Sequence, residues 1–227
     1  MTSLLNTGIY AVPEAARLTH VSPWRIRRWL RGYEFRTSGG RHRSPAVWQG
    51  QIPPIGTKVA LGFLDLLETR CVDAFISAGV SWTFLRRAHF RARELIGHGH
   101  PFCTNRFATD GRTIFFETRE HTDEVCLWDI ADLQRVFEQV IRPFIRELDY
   151  DEETIPSRWW PRGREHQVAL DPGRCFGQPI ISSVGVPTRV LADSLAANGS
   201  AEEVARWFEV PLATVYEAAE FEKSLVA

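Results

Sequence analysis

Arginine side chains are concentrated in one short N-terminal segment, at a spacing that suits contact with a nucleic acid. Four arginines fall within residues 25–31, in the sequence RIRRWLR, and a second basic motif, RHR, occupies residues 41–43. The planar guanidinium group forms paired hydrogen bonds with phosphate and with the O6 and N7 atoms of guanine. On a helix, most of these arginines share a face. We therefore predict a DNA-binding surface made of Trp24, Arg25, Arg27, Arg28, Arg31, Arg41, His42 and Arg43.

A second group of residues that could bind a metal ion is formed by His98, His100 and Cys103, which have the spacing H-x-H-x-x-C. Zinc takes three or four protein ligands, and its structural sites use paired cysteines. No fourth ligand is evident in the sequence, so we expect ordinary loop histidines and no metal. The sequence also lacks the motifs of serine hydrolases, phosphate-binding loops and zinc proteases. We therefore expect no catalytic residues, no cofactor and no enzyme activity.

The arginine-rich segment is predicted to be the second helix of a helix-turn-helix. Pro13 can open a first helix that runs through Thr19, and a tight turn follows at residues 20–22. Ser22 can cap the second helix, in which Pro23 suits the first position and Gly32 ends the helix near residue 31. The sequence SGGRHR at residues 38–43 then predicts a β-hairpin with a basic tip. Together these elements indicate a winged-helix-like domain.

The middle of the sequence is predicted to be helical, with one further hairpin. Two helices are expected over about 58–78 and from a Ser81 cap to about Gly97. Asp110-Gly111 lies between two β-rich runs and predicts a β-hairpin. Asp129 can cap a further helix that reaches about Leu148, with a kink at Pro143.

The C-terminal part is predicted to be a separate three-helix domain. Residues 149–166 carry charges, two prolines and no periodicity, which is typical of a linker, and their acidic side chains favour a solvated run over a metal site. A short strand is expected at residues 168–170. Helices are expected at about 188–197, 201–208 and 211–225, with a capping box between Ser200 and Glu203. The predicted class is mainly α, with a DNA-binding domain at 1–148 and a helical domain at 167–227.

Aromatic residues in this C-terminal part are expected to serve packing. The pair Trp159-Trp160 is expected to pin the linker to a domain, although an effector pocket or a stacking platform is an alternative interpretation. Trp207, Phe208 and Phe221 fall at helical spacings and are expected in the core.

The charge distribution suggests two different partners. Residues 1–60 hold nine Lys/Arg and two Asp/Glu, a net charge of +7, whereas residues 167–227 hold four Lys/Arg and eight Asp/Glu, a net charge of −4. Four cysteines stand alone in the sequence, with no paired spacing, at positions 71, 103, 126 and 175. Because the sequence shows neither an N-terminal leader nor an apolar span of about 20 residues, we expect a cytoplasmic protein with free thiols and no membrane contact.

Two stretches resemble known families. The segment YAVPEAARLTHVSPWRIRRWL resembles the N-terminal helix-turn-helix of MerR-type regulators. The run from Val168 to Glu222 is similar to the domain of unknown function 433, through DP at 171–172, GQPI at 177–180, GVPT at 185–188, GSAEE at 199–203, and the apolar positions 215, 218 and 219. The middle segments LLETRCVDAF and HPFCTNRFATDGRTIF resemble VapB-type antitoxins, which join both domains.

The resemblance implies an antitoxin that binds its own promoter DNA and inhibits a PIN-like ribonuclease toxin by direct contact. One departure is that GQPIISSVGVPT lacks the basic residue that the family carries before its last apolar-Pro step. The acidic final helix favours a protein partner over a second DNA-reading surface. The predicted toxin contacts are Trp159, Trp160, Glu209, Glu217 and Glu220.

A homodimer is expected, because DNA readers of this type bind paired half-sites. Two rival interpretations stay open. The first is a MerR-like, effector-responsive transcription regulator without a toxin partner, and the second is a metal-dependent hydrolase.

Overall fold

The structure is a computed structural model that describes residues 6–54, 56, 58–120 and 135–226. The chain divides into two compact units. The N-terminal unit comprises Tyr10–Arg146 and Tyr150–Pro156. The C-terminal unit comprises the residues from Ser157 onward, together with Glu147–Asp149 and the residues up to Ile9. Helices form most of the regular structure, which confirms the mainly α class.

The N-terminal unit opens with two short helices at the predicted positions. Helix α1 spans Val12–Thr19 and helix α2 spans Pro23–Arg31. The Ser22 hydroxyl accepts a hydrogen bond from the backbone N–H of Arg25, so it satisfies one of the donors that a helix start leaves free. Ile26 and Trp29 face the core and are buried, as the apolar periodicity predicts.

A two-stranded hairpin follows α2 directly. Strands β2 (Tyr33–Thr37) and β3 (Gly40–Ser44) pair antiparallel, with Tyr33 opposite Ser44 and Thr37 opposite Gly40. The predicted hairpin is therefore confirmed. Another small sheet pairs β1 (Tyr10–Ala11) with β4 (Ala60–Leu61).

Helices α3 (Phe63–Ser77) and α4 (Trp82–Ile96) form the centre of this unit. The Ser81 hydroxyl caps α4 by accepting a hydrogen bond from the Phe84 N–H, as predicted. Helix α3 starts five residues later than expected, because β4 occupies the preceding residues. A short turn of 3-10 helix, Pro101–Cys103, leads into the next helix.

The hairpin predicted at Asp110-Gly111 is wrong, because residues Asn105–Glu120 form helix α5. Phe107, Ile114 and Phe115 are buried at helical spacing and pack into an aromatic cluster with Phe75 and Phe137. Tertiary packing of this face thus overrides the local turn signal. The glycine has a packing role, because a Cβ at Gly111 would lie 2.6 Å from Cε1 of Phe137.

We expect Gly111→Ala to lower the free energy of unfolding by about 1–2 kcal/mol. Overpacking a core costs about 1–3 kcal/mol, and the better helix propensity of alanine returns at most about 1 kcal/mol. Phe137 cannot yield easily, since Phe75, Phe107 and Phe115 surround its ring. Chemical denaturation measures the change, and Gly39→Ala, where an added Cβ meets only ordinary contacts, is the matched control. Equal stability of the two variants would contradict the packing role.

The predicted start of the next helix at Asp129 lies outside the described residues. From Phe137 to Ile141 the chain forms a wider helical turn, in which the Arg142 N–H donates to the Phe137 carbonyl, and helix α6 (Arg142–Arg146) follows. A widened turn just before Pro143 fits the predicted distortion, because proline clashes with the carbonyl four residues earlier.

The C-terminal unit is built on a small sheet with the strand order β5-β6-β7-β8. Its strands are Leu148–Tyr150, Pro156–Trp159, Val168–Leu170 and Pro179–Ile181. The predicted short strand at 168–170 is confirmed. The linker prediction for 149–166 differs from this structure, because the segment contains β6 and Trp159 is a fully buried core residue opposite Leu170.

Three helices complete the C-terminal unit close to the predicted bounds: α7 (Thr188–Asn198), α8 (Ala201–Trp207) and α9 (Leu212–Ser224). The Ser200 hydroxyl caps α8 by accepting from the Glu203 N–H. The other half of the predicted capping box differs, since the Glu203 carboxylate accepts a hydrogen bond from Asn198. No helix in the described ranges has both the length and the apolar character needed to cross a bilayer.

Candidate nucleic-acid and protein-binding surfaces

The arginines of α2 have different environments, although the sequence grouped them together. Arg25 forms an ion pair with Asp73 of α3, with 2.6 Å between Nη1 and Oδ1, and is partly buried. Arg27 and Arg31 are exposed, and their guanidinium groups make no hydrogen bond or ion pair with the described residues. Arg25 therefore tethers α2 to α3, whereas Arg27 and Arg31 remain available to an outside ligand.

Arg28 is held by two aromatic rings. Its Cζ atom lies 4.2 Å from the ring centroid of Trp24 and 3.4 Å from the ring centroid of Tyr33. Trp24 precedes it by one helical turn and is 60% exposed. Tyr33 begins β2 and was not among the predicted site residues. Its role depends on the tertiary path of the chain after α2, which local sequence patterns do not give.

The hairpin has one basic face and one aromatic face. In its register Arg36 lies opposite Arg41 and Glu34 opposite Arg43, so these four residues share a face. Arg36 is a basic residue that the sequence analysis missed. Its position in an alternating strand opposite RHR was the available signal.

His42 lies on the other face of the hairpin, away from Arg41 and Arg43. Its ring stacks on Phe35 at a centroid distance of 5.6 Å, and Phe35 contacts Tyr33 at 5.8 Å. The predicted basic tip is therefore split, with the arginines on one face and the histidine in an aromatic row that leads towards Arg28.

A buried carboxylate of α3 links several segments of the N-terminal unit through hydrogen bonds. Asp65 is fully buried, and its Oδ1 accepts hydrogen bonds from Trp48 Nε1 at 2.9 Å and His100 Nε2 at 2.7 Å. Its Oδ2 accepts from the backbone N–H groups of Gln51 and Gly62, both at 2.9 Å. Four hydrogen bonds to its two oxygens offset the cost of burying this polar group.

A second buried carboxylate lies one turn further along α3. Glu68 accepts from His89 Nε2 at 2.9 Å and from the backbone N–H groups of Phe102 and Cys103, both at 3.1 Å. His98 Nδ1 accepts the backbone N–H of His100. His98, His100 and Cys103 thus have separate hydrogen-bonding tasks, and the described residues contain no group of three or more His, Cys, Asp or Glu arranged for a metal ion.

The buried thiols of this unit have suppressed acidity. Burial raises the pKa of Cys71 and Cys103 well above its ordinary value, and the negative charge of Glu68 raises the pKa of both further. Both thiols are free. They therefore act as small apolar core groups rather than nucleophiles.

Two predicted protein contacts are internal to the C-terminal unit. Trp159 is fully buried, and its Nε1 donates to Glu147. Trp160 is partly buried, and its Nε1 donates to Asp149 at 2.9 Å. Trp159 therefore cannot form a binding surface. Both indoles pin the strands of the sheet, as the packing interpretation of this pair expected.

The three glutamates predicted to contact the toxin differ in whether their carboxylates have partners inside the fold. Glu217 accepts the backbone N–H of Gln167 at 2.6 Å, and Glu220 lies 3.7 Å from Arg162. Glu209 is exposed, in a left-handed backbone conformation between α8 and α9. Of the three, Glu209 is the one whose carboxylate has no hydrogen bond or ion pair with the described residues.

Helices α8 and α9 each carry an exposed aromatic residue that the sequence analysis missed as a candidate contact. Trp207 is 62% exposed and Tyr216 is 50% exposed, so the core position predicted for Trp207 is wrong. Phe221 is buried as predicted. Helix α9 buries Val215, Ala218 and Phe221 on one side, which turns Leu212 and Tyr216 outward. This face of the helix could have been read from the sequence.

Comparisons with known proteins support a relation to antitoxins. Residues 168–221 match the family described as a protein of unknown function, DUF433, which confirms the resemblance seen in the C-terminal run. The chain is 26% identical over 215 residues to a Mycobacterium tuberculosis protein named "Putative antitoxin VapB45", an alignment that covers 88% of this chain and 87% of that protein. The chain is thus antitoxin-like over most of its length.

The fold has a solved counterpart. The crystal structure of Rv2018 from Mycobacterium tuberculosis matches with a TM-score of 0.71 at 20% identity, over 92% of this chain and 95% of the other. This likeness indicates a shared fold across both units.

Proposed function

We propose that this chain is an antitoxin that represses its own promoter as a DNA-binding homodimer and neutralises a PIN-like ribonuclease. The observation that carries the proposal is the extent of the similarity to the relative named as an antitoxin, because it spans both units rather than the DUF433 segment alone. An antitoxin of this kind carries promoter repression and toxin neutralisation on one chain. The arginine-bearing elements of the N-terminal unit suit the first activity, and the acidic C-terminal unit suits the second.

The N-terminal unit supports the DNA-binding half of the proposal. Helices α1 and α2 and the following hairpin have the order of a winged helix-turn-helix, in which the second helix enters the major groove. Arg27 and Arg31 project from that helix without internal partners, and Arg36, Arg41 and Arg43 line the basic face of the hairpin. Symmetric half-sites would require a second copy of the chain.

The C-terminal unit supports the toxin-binding half. Its net charge of −4 suits a partner that must attract RNA and therefore carries a basic rim. Trp207 and Tyr216 add exposed aromatic area, the side-chain type that dominates binding energy in protein interfaces.

A cleft beside α2 favours a second candidate function, that of an effector-responsive regulator. The cleft has a volume of about 460 Å³, and Leu30, Arg31 and Trp48 are among its lining residues. A ligand there would contact the DNA-facing helix directly. Binding of a small molecule that alters promoter affinity in the absence of any toxin would favour this alternative.

We expect the double variant Arg27→Ala/Arg31→Ala to lose promoter binding and to reduce its salt dependence. Each phosphate contact removed should make the negative slope of log K against log [salt] shallower by about 0.9, because fewer counterions are released on binding. A mobility-shift titration at several salt concentrations measures both effects. Arg189→Ala, which removes an exposed arginine of α7 outside the N-terminal unit, is the control and should bind like the wild type. Unchanged binding by the double variant would contradict the assignment of this surface.

A further inference from the structure

We infer that Arg28 reads a guanine base in the operator, and that Trp24 and Tyr33 set this specificity by holding its guanidinium group in place. The inference rests on the proposed promoter binding and assigns separate tasks to the arginines of α2. Arg28 becomes the residue that determines sequence preference, whereas Arg27 and Arg31 contribute affinity through phosphates.

The guanidinium of Arg28 contacts two aromatic rings but has no hydrogen-bonding partner among the described residues. A cation within about 6 Å of a ring centroid is attracted to the ring, and both of these distances are well inside that range. Such contacts use the flat faces of the guanidinium, while its five N–H donors point outward in its plane. No acceptor among the described residues bonds to those donors.

The local backbone is shaped to make this clamp. Gly32 ends α2 with a φ of +71°, which favours glycine, and a Cβ at this position would lie 2.3 Å from the Ser44 carbonyl oxygen. This close approach turns the chain so that Tyr33, the next residue, lies against Arg28. Trp24, four residues before Arg28, reaches the same guanidinium from the preceding turn of the helix.

A clamped guanidinium suits a base better than a phosphate. Reading O6 and N7 of guanine requires two parallel N–H bonds in one plane, so a fixed plane favours the correct base. Ordering a free arginine side chain costs up to about 2 kcal/mol, and the two rings have already imposed most of that order on Arg28. Contact with a phosphate depends more on positive charge than on a fixed guanidinium plane. Arg27 and Arg31, which no aromatic ring holds among the described residues, supply that charge.

Arg28→Lys is the first test, because it keeps the charge and removes the planar fork. We expect affinity for the promoter to fall by about tenfold or more, while affinity for unrelated DNA and the salt slope stay at wild-type values. Arg27→Lys is the matched control and should resemble the wild type on both DNAs. Tyr33→Leu should show part of the Arg28→Lys effect, with circular dichroism used to verify that each variant is folded.

A base analogue locates the contact. Promoter guanines are replaced one at a time by 7-deazaguanine, which lacks the N7 acceptor. At one position the analogue should weaken wild-type binding but leave the affinity of Arg28→Ala unchanged, because alanine has no donor for N7. If no position behaves in this way, or if Arg28→Lys weakens promoter and unrelated DNA equally, Arg28 contacts phosphate and the inference is wrong, although promoter binding stands. A wild-type chain that shows no preference for its promoter overturns both the inference and the proposed DNA binding.

Discussion

Replacing Asp65 with alanine is expected to lower the free energy of unfolding of the N-terminal unit by about 3–5 kcal/mol, because four buried donors lose their shared acceptor. The carboxylate is 0% exposed and joins α3 to the His100 loop and to the segment of Trp48 and Gln51. Alanine would leave the indole N–H, the imidazole N–H and two backbone N–H groups buried without acceptors. Each orphaned donor carries a desolvation cost of about 1–3 kcal/mol, part of which local relaxation and water entry would offset.

Urea denaturation followed by tryptophan fluorescence measures this loss. The matched control is Asp110→Ala, since Asp110 is an exposed aspartate of α5 in the same unit and should change stability by no more than about 0.5 kcal/mol. A loss below about 1 kcal/mol in Asp65→Ala would mean that the four hydrogen bonds do not hold these segments together.

The double variant Trp207→Ala/Tyr216→Ala is expected to lose most of its affinity for the ribonuclease proposed as the partner. Truncation of an aromatic hot spot costs about 2 kcal/mol or more, which corresponds to roughly 30-fold in Kd for each residue. Both side chains are at least half exposed, so their removal should leave the stability of the C-terminal unit nearly unchanged. Titration calorimetry with the purified partner measures the affinity.

Phe176→Ala provides the control for exposed aromatic area, because Phe176 is 74% exposed in the same unit but lies outside α8 and α9. It should bind like the wild type. The surface is misassigned if Phe176→Ala weakens binding as much as the double variant does, or if the double variant binds normally.

The elements that could be predicted from the sequence are those whose signals are local. Ser22 and Pro23 specify the start of α2, and Ser200 specifies the start of α8, because a cap acts on donors within the next turn. The Asp110-Gly111 signal failed for the converse reason. A glycine is needed at position 111 because the ring of Phe137 leaves no room for a Cβ there. Phe137 lies 26 positions away in the sequence, so this contact exists only in the folded core.

The sequence predicted the positions of the candidate site residues on their elements, but not the contacts that those residues make inside the fold. The RIRRWLR spacing placed the arginines on one helix, but the pairing of Arg25 with Asp73 joins positions 48 apart and could not be read from periodicity. The burial of Trp159 follows from its pairing with β7, again a non-local contact. By contrast, the outward position of Tyr216 follows from the helical period, and the sequence contained that information.

RNA cleavage by the ribonuclease proposed as the partner, measured with and without this chain, tests the central claim most directly. The full-length chain, added in equimolar amount, should abolish cleavage, and the Trp207→Ala/Tyr216→Ala variant should inhibit much less at the same concentration. Arg27→Ala/Arg31→Ala should inhibit as the wild type does, because its defect is confined to DNA. Undiminished cleavage in the presence of excess wild-type chain would contradict the proposal that this protein is an antitoxin.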